Sequence, residues 1–142
     1  MNLNCPLCNS TATLFCEKPK HLFYKCTNCD GIFRPKDTFL TAEEEKEHYE
    51  KHNNDVFDER YQAFVSPIVN AVLHDFSPEA KGLDFGSGTG PVIAKMLTDK
   101  GYQVQNYDLF FAIEPSLLQE KYNYISCCEV MEHFHHPYQE FE

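Results

Sequence analysis

Apolar residues recur along this chain with two different periods, and each change of period marks an element. Near the N-terminus, Ala12-Thr13-Leu14-Phe15-Cys16 and Leu22-Phe23-Tyr24-Lys25 are short runs that read as paired strands. A charged run from Ala42 to Glu50 follows, opened by Thr41 with Glu44 three residues on, the pattern of a capping box. It predicts a solvated helix with His48 and His52 on the surface and Asn53-Asn54-Asp55 as its end. Next, Tyr61, Phe64, Val65, Ile68, Val69, Val72, Leu73 and Phe76 keep to one helical face for about four turns. Pro67 interrupts this face, yet Ser66-Pro67 also has the form of an N-cap with a first-turn proline. The pattern therefore predicts two abutting helices or one kinked helix, packed on a sheet. Tyr61 stands on that face either as core or turned toward a pocket. Ser77-Pro78-Glu79 makes a turn.

The central stretch from Gly82 to Leu97 reads as a short apolar strand, a glycine turn and an amphipathic helix. Val92, Ile93, Met96 and Leu97 keep the spacing of one buried helical face. Gly86, Gly88 and Gly90 alternate through the turn, where residues without Cβ let the backbone bend and lie close to a ligand. The first amides of the helix predict something polar or anionic nearby. A nicotinamide-dinucleotide fingerprint needs glycine at its first, third and sixth positions, and the sixth position here is Pro91. Gly101 stops the helix, and Tyr102 to Asp108 reads as a second strand ending in a carboxylate. Asp108 lies 18 residues after Gly90, where an acidic side chain is suited to a ribose diol; the alternative is a plain turn former. Residues 109–121 are short for a full crossover, so the third strand expected of such a sheet is abbreviated or absent. The run Tyr124-Ile125-Ser126-Cys127-Cys128 predicts a buried parallel strand that delivers Glu129, Glu132 and His133 to the crevice at its carboxyl end. Cys127 and Cys128 read as small strand residues, because no basic partner is evident.

The remaining features come from cysteine spacing, charge and composition. Cys5-Pro6-Leu7-Cys8 and Cys26-Thr27-Asn28-Cys29 are separated by 17 residues, the spacing of a zinc ribbon. Four thiolates leave no open position on the metal, so the expected ion is structural; a redox dithiol is the alternative. Cys16 reads as a packed or spare thiol. The formal net charge of −10 argues against a general nucleic-acid surface, but it is uneven: residues 1–36 balance at +3 and the remainder at −13. Aromatic content is ample for a core, no run approaches the ~20 apolar residues of a membrane span, and no leader pattern opens the chain. The expectation is a cytoplasmic protein.

With these segments assembled, residues 55–142 resemble class I S-adenosylmethionine-dependent methyltransferases, in particular a bacterial group with a zinc ribbon ahead of the catalytic domain. The resemblance rests on the ribbon, Leu83-Asp84-Phe85-Gly86-x-Gly88-x-Gly90, Tyr107-Asp108-x-Phe110-Phe111 and Glu129-Val130-Met131-Glu132-His133-Phe134, in that order. It implies S-adenosylmethionine as cofactor, held along Gly86, Ser87, Gly88 and Gly90, with Asp84 orienting the loop, Asp108 on the ribose and Glu129 beside the methyl donor. In some related O-methyltransferases Glu-x-x-Glu-His binds a divalent cation. Glu129, Glu132 and His133 keep that triplet and are the candidate catalytic groups, with a strand-end and helix-cap arrangement as the alternative.

The expected organisation is α/β: a zinc ribbon at 1–36 on Cys5, Cys8, Cys26 and Cys29, a helical linker at 37–54, and the first part of a Rossmann-like methyltransferase domain at 55–142 with a mostly parallel sheet. The family fold continues through further strands, so the chain reads as truncated, or as needing a partner or self-association to cover the edge strand carrying Ile125. The expected function is methyl transfer to an acceptor that the sequence does not specify. The alternative is a non-catalytic zinc-ribbon interaction module on an incomplete cofactor domain.

Overall fold

The computed structural model describes residues 3–52 and 55–142, so the expected helix end at Asn53 and Asn54 lies outside the described residues. Its contacts divide the chain into two units, one taking the chain up to Thr41 together with Met131–Glu142, the other Ala42–Val130.

The first unit is built on a four-stranded antiparallel sheet in the order β1 (Leu3–Asn4), β2 (Thr11–Lys18), β3 (His21–Cys26), β4 (Ile32–Phe33). The two runs read as strands pair as β2 and β3, with Lys18 opposite His21 across a tight turn. Pro19 occupies the first turn position and Lys20, at φ 69°, the second. The register shifts between Leu14 and Cys16, which leaves Phe15 as the extra residue of a bulge. The chain's last segment contributes a short helix, α4 (Pro137–Glu140), and packs Phe134 against Phe141. His135 meets Phe39 edge-on at 5.2 Å, and Lys36 Nζ lies 3.5 Å from His136 Nδ1.

The second unit holds α1 (Ala42–Glu50), α2 (Glu59–Asp75), β5 (Lys81–Phe85), α3 (Val92–Thr98), β6 (Gln103–Tyr107) and β7 (Tyr124–Ser126). The strands form a parallel sheet in the order β6–β5–β7, so the chain is mixed α/β with the glycine-turn strand in the middle. Between β6 and β7 lies a 3₁₀ turn, Pro115–Gln119, and no strand, in keeping with the short crossover. β7 is an edge, and its central residue Ile125 is 61 % exposed. Among the described residues no helix is long and apolar enough to cross a membrane.

The helical stripe becomes the core. Val65, Val69 and Val72 of α2 pack with Val92, Ile93 and Leu97 of α3, against Tyr102 and Tyr124. Tyr61, Ile68, Leu73 and Phe76 border this cluster, whereas Phe64 sits at the margin of the stripe and is 55 % exposed. Burying a side chain such as Leu97 contributes about 1.5–3 kcal/mol, and these contacts hold a sheet of only three strands.

Ser66-Pro67 does not start a new helix. α2 runs unbroken through it, capped instead by Asp58, whose carboxylate accepts from the Arg60 amide. A proline at 67 cannot donate to the carbonyl of Ala63, four residues back. The Ser66 hydroxyl donates to that carbonyl at 2.7 Å, replacing the missing bond within the same turn. Gly101, at φ 86°, ends α3: the Tyr102 amide reaches the Leu97 carbonyl at 3.1 Å and its own amide reaches Thr98 at 2.9 Å.

Gly82 is required for a different reason. It lies opposite Tyr124 across β5 and β7, and a Cβ there would stand 2.2 Å from the Tyr124 ring. Gly82→Ala is therefore expected to destabilise the chain by at least about 2 kcal/mol through overpacking, read as a lower denaturant midpoint. Adding Tyr124→Leu should recover part of the loss. A Gly82→Ala chain as stable as the parent would overturn this account of the β5–β7 contact.

Candidate functional site

β5 ends at Phe85, and the chain turns back through two glycines with positive φ, Gly86 at 74° and Gly88 at 68°. The amides of Gly86 and Ser87 both donate to the Tyr107 carbonyl, at 2.8 and 3.1 Å, tying the turn to the end of β6. Gly86 is also hemmed in, since a Cβ would meet Val130 Cγ2 at 2.4 Å. Ser87 and Gly90 are buried, and α3 begins immediately after Pro91.

Asp108, only 8 % exposed, follows β6 and faces this turn. Its Oδ2 accepts from the Gly88 amide at 2.8 Å, while Oδ1 accepts from the amides of Phe110 at 2.8 Å and Phe111 at 3.1 Å. The carboxylate thus holds the glycine turn on one side and the start of the next loop on the other.

Asp84 sits beneath the turn, on β5, and is 4 % exposed. The parallel register sets it between Asn106 of β6 and Ser126 of β7. Its Oδ1 accepts from the Ser126 hydroxyl at 3.0 Å. Burial pushes its carboxyl up to about 6; the Ser126 hydroxyl and the Ala94 amide in the first turn of α3 counter this in part, and the nearby charge of Asp108 adds to it. Ser126 carried no mark in the sequence, because only the pairing of β7 with β5 brings it to Asp84. Asn106 escaped notice for the same reason, and its Oδ1 is buried without a partner among the described residues.

A narrow cleft of about 20 Å³ opens between α2 and the turn, lined by Tyr61, Val65, Asp84, Gly86, Ser87, Gly90, Val92, Ile93 and Cys128. Of the two orientations open to Tyr61, the fold selects one that borders both the core and this cleft. Its hydroxyl is pushed above the ordinary tyrosine value by burial first, then by Cys128, Asp84 and Glu129. Cys128 joins the wall although the sequence marked it only as a strand residue. Glu129, one residue before the end of the second unit, has an exposed side chain and a φ of 55°, a conformation that costs a residue with a Cβ roughly 1 kcal/mol. Glu132 and His133 stand in a 3₁₀ turn of the first unit, 3.8 Å apart, so the expected triplet is divided between the units.

The cysteines converge. The sulfurs of Cys5, Cys8, Cys26 and Cys29 all lie within 4.8 Å of one another, and among the described residues this is the one such group of three or more metal-type donors. Cys5 and Cys29 are separated by 3.7 Å and Cys8 and Cys26 by 3.4 Å. Those spacings are near the ~3.8 Å edge of a tetrahedron with metal–sulfur bonds of about 2.3 Å. Both knuckles are built alike. The amide of Cys5 donates to the Ser10 carbonyl and that of Cys26 to Gly31, while Asn9 and Asp30, each at φ 59°, follow the second cysteine of each pair. Asparagine and aspartate tolerate that left-handed conformation better than other residues with a Cβ. Hydrogen bonds from the Ser10 side chain and backbone pull the Cys8 thiol down to about 6. The Gly31 amide also pulls on Cys29, but Cys8, desolvation, Cys26 and Cys5 outweigh it and push that thiol up to about 12. Four sulfurs gathered at these distances form a donor set that fits a metal ion.

Two further outcomes follow from Asp84. Its raised carboxyl favours folding below about pH 4, and that contribution disappears as pH rises through about 6. Asp84→Asn does not titrate, so between about pH 4 and pH 7.5 it should gain roughly 2.5 kcal/mol relative to the parent chain. Urea unfolding of both chains at the two pH values measures this, with the acid lability of the cysteine cluster cancelling in the difference. A pH-independent difference would refute the buried-charge account.

A family model described as a methyltransferase domain matches residues 57–142. No curated protein and no solved structure matches the chain. The matched residues contain the glycine turn, Asp84, Asp108 and Glu129, and begin two residues before α2. On this match, which covers more than half of its length, the chain belongs to the methyltransferase-domain family.

Proposed function

We propose that this chain is a class I, Rossmann-like methyltransferase that uses S-adenosylmethionine, with a structural zinc ion in its N-terminal ribbon. The observation that carries the reading is the pairing at the carboxyl end of the parallel sheet. A glycine turn leaves the middle strand, and a carboxylate, Asp108, leaves the neighbouring strand, joined by the Gly88 amide at 2.8 Å. Ligands of open α/β sheets bind at such strand ends.

Gly86, Ser87, Gly88 and Gly90 offer the backbone along which the amino-acid and ribose portions of the cofactor would lie. Asp108 would take the ribose hydroxyls. Its Oδ2 now accepts from Gly88, so nucleoside binding entails release of that amide and opening of the narrow cleft. Asp84 would hold the turn from below, and Glu129 would lie beside the methyl donor. The bound cofactor supplies an electrophilic methyl group, and what remains for the protein is in-line positioning of an acceptor. No general base is required of the residues at the cleft. The four cysteines, a closed ligand set, support zinc as a folding element rather than a reactive centre.

A second reading, a non-catalytic ribbon module on a degenerate cofactor domain, is favoured by one observation. Asp108 already spends both oxygens on backbone amides. Calorimetric titration with S-adenosylhomocysteine separates the two. Saturable binding is expected, lowered at least tenfold by Asp108→Ala and by Gly88→Asp, whose side chain would need a left-handed backbone. Equal affinity in all three chains would eliminate the pocket, and no binding by the parent would favour the second reading. Zinc content should be one ion per chain, and Cys26→Ser should lose it along with the ribbon's ordered amide spectrum. Metal-free protein with four titratable thiols and an intact ribbon would exclude the structural ion.

A further inference from the structure

The cleft beside the glycine turn has an unusual balance of charge. Among its lining residues are an aromatic ring, Tyr61, a carboxylate, Asp84, and a thiol, Cys128, and no lysine, arginine or histidine. Its remaining walls include Val65, Val92 and Ile93, which keep the local dielectric low and strengthen any charge interaction inside. The first turn of α3 would ordinarily lend positive character to such a site. Here the Ala94 amide in that turn is already engaged by Asp84, so its pull on a ligand anion is spent internally. Burial first, and then the neighbouring Cys128, Asp84 and Glu129, make the Tyr61 hydroxyl resist losing its own proton, so the ring stays neutral beside the Asp84 carboxylate.

Resting on the S-adenosylmethionine reading above, we propose that this cleft recognises the charge on the cofactor's sulfur. It favours the cationic sulfonium of S-adenosylmethionine over the neutral thioether of S-adenosylhomocysteine, with the Tyr61 ring as the aromatic contact and Asp84 as the fixed negative charge. A cation over an aromatic face gains energy that a neutral thioether does not, and the gain grows when both are withdrawn from water. Methyl transfer breaks the sulfur–methyl bond and leaves its electron pair on sulfur, so the product lacks the charge that the cleft selects. Tyr61 is in this sense a specificity residue: it sorts substrate from product without taking part in bond making.

The test compares three ligands by calorimetry on the full zinc-loaded chain: S-adenosylmethionine, S-adenosylhomocysteine, and sinefungin, which carries an amine cation in place of the sulfonium. The parent chain should bind the two cationic ligands about fivefold more tightly than the thioether. Tyr61→Phe keeps the ring and should keep the preference, whereas Tyr61→Leu, which leaves only the Asp84 charge, should lower the ratio about twofold or more. Equal or tighter binding of the thioether by the parent chain overturns the proposal while leaving the cofactor assignment intact. A preference undiminished in folded Tyr61→Leu removes Tyr61 from it. Should that variant not fold, the three-ligand comparison in the parent chain still decides the question of charge. Failure of all three ligands to bind overturns the cofactor reading itself, and this inference with it.

Discussion

A carboxylate and a backbone amide, Asp108 and Gly88, stand 2.8 Å apart at the ends of two adjacent strands, and the second unit is arranged to make that meeting possible. The glycine turn must leave β5 with positive φ at Gly86 and Gly88, or the amide would point elsewhere. β6 must run parallel to β5 and end level with it, as the pairing of Phe85 with Tyr107 ensures. The helix that follows the turn is then held by its apolar face against α2, through Val92, Ile93 and Leu97. Loss of any one of these conditions separates the two groups.

The same geometry concentrates negative charge. Asp84 and Asp108 are both nearly buried on neighbouring strands, and the structure meets their demand with hydrogen-bond donors rather than with cations. For Asp108, three amides supply the compensation. For Asp84 one hydroxyl and one amide leave burial as the larger effect, which is why its carboxyl is held up to about 6 while it lies under the turn. A carboxylate in that position stiffens the loop and colours the cleft above it. The chemistry proposed for the cleft, recognition of a cation by an aromatic ring and a fixed negative charge, follows from this placement.

The first unit solves a different problem. Its sheet is small and leaves apolar side chains such as Leu14, Phe15 and Ile32 exposed, so packing alone contributes little. Cohesion falls to the two knuckles, whose sulfurs gather within bonding reach of one ion and whose backbones repeat the same hydrogen bond and the same left-handed residue. Cys5 and Cys26, the first cysteine of each pair, are buried, while Cys8 is half-buried and Cys29 exposed, so the cluster has one side on the core and one at the surface.

Spacing along the chain by itself determined the elements and the chemistry-bearing motifs: the two cysteine pairs, the strand–glycine turn–helix, the carboxylate after the second strand and the missing third strand. Each depends on residues near one another in sequence, where helical period, turn preference and ligand spacing act directly. The methyltransferase-domain match spans residues 57–142, which hold the glycine turn and that carboxylate but not the cysteine pairs. Only the tertiary structure decided that α2 passes through Pro67 unbroken, because the compensating Ser66 hydroxyl depends on its rotamer and not on its identity. It likewise decided that Ser126 and Asn106 flank Asp84, that Gly82 makes room for Tyr124, and that Tyr61 and Cys128 wall the cleft. Those partners lie about 20 to 70 residues apart, and the register of parallel strands, set by packing over the whole sheet, is what brings them together.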